Sequence, residues 1–175
     1  GVIPKAEGSA RARLGDTEVV AGVKVQPERP FPDTGDKGML ICTAEILPIA
    51  HPSAETGPPQ PPVVELARVT DRGIRESGML DMKQLVLEKD KSVIGVFCDN
   101  AVTDHDGNLF DACSYASTAA INACKIPKYE MQDEKPVKIE DEFTDPPLTT
   151  LPVSVTMAKI GDFIIVDPTI DEWTI

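Results

Sequence analysis

Small and apolar side chains (Ala10, Ala12, Leu14) trade places with polar ones (Ser9, Arg11, Arg13) along residues 9–14, the period of a half-buried strand. Gly15 and Asp16 supply a turn, and residues 18–25 (EVVAGVKV) return as a second strand, so the pattern predicts a β-hairpin. Pro27, Pro30 and Pro32 lack a backbone donor and are expected to break the ladder. Residues 39–47 (MLICTAEIL) are largely apolar and predict a third, central strand. A proline- and glycine-rich loop over 51–62 follows. The period then changes. At about 100° per residue, Val63, Leu66, Ala67, Thr70, Ile74 and Ser77 gather on one side of a helix over 63–77. Pro61 or Pro62 can open that helix and Gly78 can close it.

Further on, Val86 suggests a short edge strand, and residues 92–98 (SVIGVFC) a strong one reaching Val102. A turn over 104–108 leads into a second helix over 110–124, lined by Ala112, Ala116, Ala119, Ala120 and Ala123, with Lys125 and Pro127 ending it. Residues 129–147 are acidic and proline-bearing, and are read as a surface excursion. Residues 153–159 alternate again, Gly161-Asp162 turns the chain, and 163–166 returns. Hairpins at both ends, strands between them and two helices predict an α+β fold, with a mixed sheet and two packed helices rather than a doubly wound parallel sheet.

Composition narrows this picture. The chain has 175 residues, room for one domain or one domain and the start of another. Hydrophobic residues at 41% and charged residues at 26% exclude global disorder. No apolar run approaches the roughly 20 residues of a membrane span, and no signal-peptide pattern opens the chain. A soluble, cytoplasmic protein is expected, and the start at Gly1 without Met reads as a piece of a longer polypeptide. Cys42, Cys98, Cys113 and Cys124 have no metal-knuckle spacing and read as buried reduced thiols. The net charge of −12 repels nucleic acid on average. It is uneven, however: Glu130, Asp133, Glu134, Glu140, Asp141, Glu142 and Asp145 crowd one stretch while arginines cluster elsewhere.

The candidate chemistry lies on the first helix. Arg68, Arg72 and Arg75 recur at i, i+4 and i+7 and form a basic stripe opposite the apolar face. Such a stripe is a solvated face if Glu65–Arg68 and Asp71–Arg75 pair, at about 0.2–0.5 kcal/mol each. Spacing alone favours that solvated face; the alternative is a track for phosphates, which the planar guanidinium binds bidentately. Asp104, Asp106, Asn108 and Asp111 do not fit a calcium loop, because Gly107 comes too early and no Glu follows at the twelfth position; they read as turn and capping residues. His51 and His105 sit in loops outside any triad or metal spacing and are expected to be solvated.

Several segments together resemble the RNase PH family of phosphorolytic 3′-to-5′ exoribonucleases. Residues 8–24 (GSARARLGDTEVVAGVK) look like its opening hairpin, 65–75 (ELARVTDRGIR) like its first helix, 106–112 (DGNLFDA) like the entry to its second, and 151–162 (LPVSVTMAKIGD) like the next hairpin. Residues 30–33 (PFPD), 71–77 (DRGIRES) and 166–169 (VDPT) are most similar to the non-catalytic RNase PH-like subunit of the archaeal exosome. The resemblance implies an RNase PH-like first domain over 1–150 and the truncated start of a second over 151–175. It implies pairing with a catalytic RNase PH-like subunit into a ring of three heterodimers, RNA-binding cap proteins, single-stranded RNA threaded past Arg68, Arg72 and Arg75, and no membrane.

The departures from the family bear on activity. Active members enter the second helix through Gly-Gly-Thr-Arg-Thr-Ala; here those positions read Gly107, Asn108, Leu109, Phe110, Asp111 and Ala112. Their acidic residue in an Asp-Met-Asn stretch corresponds to a point past Ile175. Phosphorolysis needs cations for phosphate and an acid or metal-binding carboxylate for the leaving oxygen. The expectation is therefore an inactive member, with no catalytic residue, metal or cofactor. The alternatives are a phosphate-dependent exoribonuclease in its own right and a purely structural protein-binding domain.

Overall fold

The computed structural model describes residues 1–133 and 135–173; Glu134 of the acidic run lies outside the described residues. In chain order the main elements are β1 (Gly8–Leu14), β2 (Thr17–Glu28), β3 (Met39–Ile46), α1 (Pro61–Glu76), β4 (Val86–Glu88), β5 (Ser92–Asp104) and α2 (Leu109–Asn122). They form a mixed sheet ordered β1-β2-β5-β3, with β4 on the start of β5. β1, β2 and β5 are antiparallel, whereas β3 runs parallel to β5. A parallel pair needs a long crossover, and α1 lies within the connection that provides it.

One face of this sheet is the floor of the core. Val19, Ala21, Val23 and Val25 alternate inward on β2, and Ile94, Val96, Cys98 and Val102 on β5; all are buried. α2 packs over β1 and β2, α1 packs over β3, and the helices touch each other. The alanines of α2 explain how close it comes. Ala112, Ala116 and Ala120 are fully buried, and a Cβ at Gly8 would lie 2.3 Å from the carbonyl oxygen of Ala120. Strand and helix are in near-backbone contact, which only small residues permit.

Four expectations are corrected. β2 does not break at Pro27 but continues to Glu28, with Pro27 paired to Ile94. The Val25 N–H already turns away from β5, to Glu7 Oε2 at 3.1 Å, so the donor missing two residues later falls on an unladdered side. Residues 129–147 are not irregular: β6 (Ile126–Gln132) and β7 (Lys135–Thr144) form an antiparallel hairpin. Pro127 does not end α2, which stops at Asn122; it is the second residue of β6. Residues 151–156 belong to no strand, and the alternating pattern pairs only over β8 (Met157–Ile160) with β9 (Phe163–Val166).

α1 ends as its sequence suggests. Gly78 takes φ +68°, its N–H reaches the Arg75 carbonyl and that of Met79 the Ile74 carbonyl, a Schellman closure. Ser77, expected on the apolar side, is exposed in this cap.

Candidate nucleic-acid interface

α1 buries Leu66, Thr70 and Ile74 against the sheet. Thr70 returns its hydroxyl to the Leu66 carbonyl at 2.9 Å, so a polar residue sits in the core without an orphaned donor. The three arginines do not share one environment. Arg75 donates from Nε and Nη2 to the two carboxylate oxygens of Asp71 at 3.0 and 2.9 Å, and from Nη2 to the Leu40 carbonyl of β3 at 2.6 Å. The bonds to Asp71 raise the guanidinium's pKa above its ordinary value against the opposing effect of burial. Arg75 thus ties α1 to β3.

Arg68 and Arg72 are exposed, and among the described residues neither has a hydrogen-bonding or ion-pairing partner; the Glu65–Arg68 pair does not form. Both border an open groove of about 1000 Å³ between α1, β3 and the segment 80–83. Phe31, Lys37 and Lys83 also line it. Sequence spacing along the helix shows the arginines. It gives no sign of these three, which arrive from a loop and a 3-10 turn only through the fold.

The entry to α2 is built differently. Asn108, at φ +41°, caps the helix by accepting from the Asp111 N–H, and its amide donates to Asp111 Oδ2 at 2.9 Å and to Asp167 Oδ1 at 2.6 Å. Asp111 is 4% exposed. Its carboxylate also accepts from the Ser154 hydroxyl at 2.7 Å and from the Thr156 N–H and hydroxyl, both at 2.9 Å. Burial pushes the Asp111 carboxyl up, but these donors outweigh it, and its pKa lies below the ordinary value. Phe110 packs against the core. Phe110 and Asp111, two of the positions that depart from the active family pattern, are therefore engaged structurally: one by apolar packing, the other by anchoring residues 154–156 to a helix N-terminus.

His51 and His105 are half-buried rather than solvated, with ring centroids 5.9 Å apart. Burial and then the neighbouring His51 lower the pKa of His105, against Asp106 and Asp104. The four cysteines are buried and free, and burial pushes the Cys113 and Cys124 thiols up to about 12. Among the described residues no three His, Cys, Asp or Glu side chains gather into a metal-binding group, and no helix is long and apolar enough to cross a membrane.

A mixed sheet with both helices on one face, entered by a hairpin, is also what sequence comparison indicates. Residues 1–127 match the 3′ exoribonuclease family, domain 1, and residues 150–175 match its domain 2. The chain belongs to this RNase PH family. It is 49% identical over 172 residues to exosome complex component Rrp42 of Methanocella arvoryzae, covering 98% of this chain and 64% of the relative. The same protein from Thermococcus gammatolerans is 49% identical over 176 residues, covering 100% and 64%. The chain thus spans somewhat under two thirds of the length of these curated relatives. Among solved structures it is similar to the Archaeoglobus fulgidus exosome with RNA bound to the active site (TM-score 0.89, 47% identity, 99% of this chain and 66% of that one). An archaeal exosome core gives a TM-score of 0.83 at 44% identity, over 99% and 63%. Rice Rrp46, at 18% identity and a TM-score of 0.71, shares the fold.

Proposed function

We propose that the chain is part of a non-catalytic RNase PH-like exosome subunit, one that structures a catalytic partner's site and holds single-stranded RNA with α1. The observation that carries this is the pair of unengaged cations, Arg68 and Arg72, bordering an open groove in a chain whose net charge is −12. A guanidinium without a protein partner is free to take a phosphate. Arg75 contributes by holding the groove wall to β3. The similarity to Rrp42 exosome components supports the assembly, with a catalytic RNase PH-like homologue as ring partner and RNA-binding caps. Phe110 and Asp111 support inactivity, since the position held by arginine in active members carries no charge for phosphate here. Residues 1–150 form the first domain and 151–175 open the second. A cytoplasmic location goes with this reading.

The test is phosphate-dependent shortening of labelled oligoadenylate by the full-length protein alone, by a catalytic homologue alone, and by the two mixed. Activity confined to the mixture, or much increased there, is expected. Robust phosphorolysis by this protein alone would overturn the reading and make it an enzyme.

A further inference from the structure

The groove beside Arg68 and Arg72 holds an aromatic ring that the core does not use. Phe31 is 53% exposed and stands outside the hydrophobic cluster. The loop carrying it is pinned at three points: Thr34 N–H to the Phe31 carbonyl at 3.0 Å, Asp90 N–H to the Gly35 carbonyl at 2.9 Å, and Gly38 N–H to the Met82 carbonyl at 2.7 Å. Two glycines make that pinning possible. A Cβ at Gly35 would sit 1.9 Å from Asp90 Oδ1, and one at Gly38 2.5 Å from Leu85 Cβ. Pro30 and Pro32 flank the ring and fix φ on either side of it. A large apolar side chain is thus held toward water on a loop with little freedom to fold it away.

Its surroundings are cationic. Besides the Arg75–Asp71 pair, the groove presents Lys37, Lys83, Arg68 and Arg72 against Asp33 and Asp81. A phosphate site alone has no use for an aromatic ring. A ring beside a row of cations is the combination that binds single strands with little sequence preference: bases stack on the ring while the backbone follows the charges.

We propose that Phe31 is a stacking platform for one nucleobase of single-stranded RNA whose phosphates follow Arg68, Arg72 and Lys37. This rests on the preceding reading of the groove and deepens it by assigning the base as well as the backbone. Every base offers a face to stack and purines offer the larger one, so purine-rich strands bind somewhat better than pyrimidine-rich ones without a sequence code.

The experiment measures affinity of the full-length protein, alone and mixed with its catalytic homologue, for labelled oligoadenylate and for an abasic phosphodiester of equal length. Phe31→Ala and Phe31→Leu should each weaken oligoadenylate binding by about 5- to 150-fold. They should leave abasic binding and the salt slope unchanged, whereas Arg72→Ala weakens both ligands. Phe31→Trp should retain affinity, with the new indole's emission quenched by RNA. Wild-type affinity in Phe31→Leu, or equal loss on the abasic strand, overturns the stacking role while leaving the arginine groove intact. Failure of Phe31 variants to join the homologue, with RNA affinity unchanged, overturns it too and makes the ring a protein contact. No RNA binding by the wild type in either form removes the groove reading itself.

Discussion

Asp111 is a buried carboxylate with two donors on each oxygen, at the N-terminus of a helix. Asp111→Ala leaves the Thr156 N–H and the Asn108 amide without this acceptor, and each unsatisfied buried donor costs about 1–3 kcal/mol. Urea unfolding should register a loss of at least that size, with residues 150–169 gaining early protease sensitivity. Asp111→Asn should cost less, because the Ser154 and Thr156 hydroxyls can rotate to accept from its amide. The folded-state pKa of Asp111 is lowered, so its stabilisation is complete above the ordinary value of about 3.9 and is lost as pH falls through the folded value. The gap between wild type and Asp111→Asn should therefore close below about pH 4; a constant gap would assign the effect to shape rather than charge. His105 gives a second window. Its Nδ1 accepts from the Gly107 N–H at 3.2 Å, which requires that nitrogen unprotonated. His51, Asp104, Asp106 and Glu65 are its titratable surroundings. A lowered folded pKa means stability present above the ordinary value of about 6.5 and lost as pH falls below it. His105→Asn keeps an acceptor without a titrating ring, so its melting temperature should fall less than the wild type's between pH 7.5 and 5.5. Superimposable melting profiles would show that His105 carries no such linkage.

At the scale of elements, β1 and α2 meet in near-backbone contact at Gly8. Gly8→Ala drives a methyl into the Ala120 carbonyl and the Cys124 backbone. Overpacking against backbone that cannot rotate away should cost about 1–3 kcal/mol in urea titration. A neutral result would mean that β1 slides without penalty. The same contrast between faces decides which elements the sequence reveals. β1 and β2 alternate because one face meets α2 and the other does not, and α1 shows a stripe because Leu66, Thr70 and Ile74 are buried. β7 has no comparable contrast, and β6 shows only a short one, Tyr129 and Met131 half-buried between exposed Lys128, Glu130 and Gln132. Lys128 pairs with Glu142 at 3.0 Å across the hairpin, and Val137 and Phe143 are exposed. With charge on the surface of both strands and prolines at Pro127 and Pro136, the five-residue alternation over 128–132 is outweighed and the segment reads as a loop. The arginine spacing was legible for the same reason as α1 itself. The Asp71–Arg75 pair is the i,i+4 pair that the spacing offered, but that the Leu40 carbonyl also holds Arg75 depends on where β3 passes. No helical wheel contains that information.

For the whole molecule the deciding quantity is the conflict between a global charge of −12 and a local cationic groove. Within about 8–10 Å, the Debye length at 0.1–0.15 M salt, a phosphate chain senses the charges lining the groove more than charges farther off. As salt is lowered, screening lengthens, and repulsion from Glu130, Glu140 and Glu142 reaches the same strand. Two opposing terms then shape the salt dependence of RNA binding. Counterion release steepens it by roughly 0.7 per phosphate neutralised on a single strand, while long-range repulsion flattens it at low salt. Arg72→Ala should reduce the slope measured at moderate salt by about that amount, and Arg68→Ala by a similar amount. Arg75→Ala should act differently, because its guanidinium already serves Asp71 and β3. It should leave the slope nearly unchanged while lowering thermal stability and loosening the groove. Titration of labelled oligoadenylate at several salt concentrations, on the full-length protein assembled with its homologue, separates the three. Equal slope changes for all three arginines would show that RNA pulls Arg75 off Asp71 on binding. Unchanged slopes throughout would remove α1 from the RNA path.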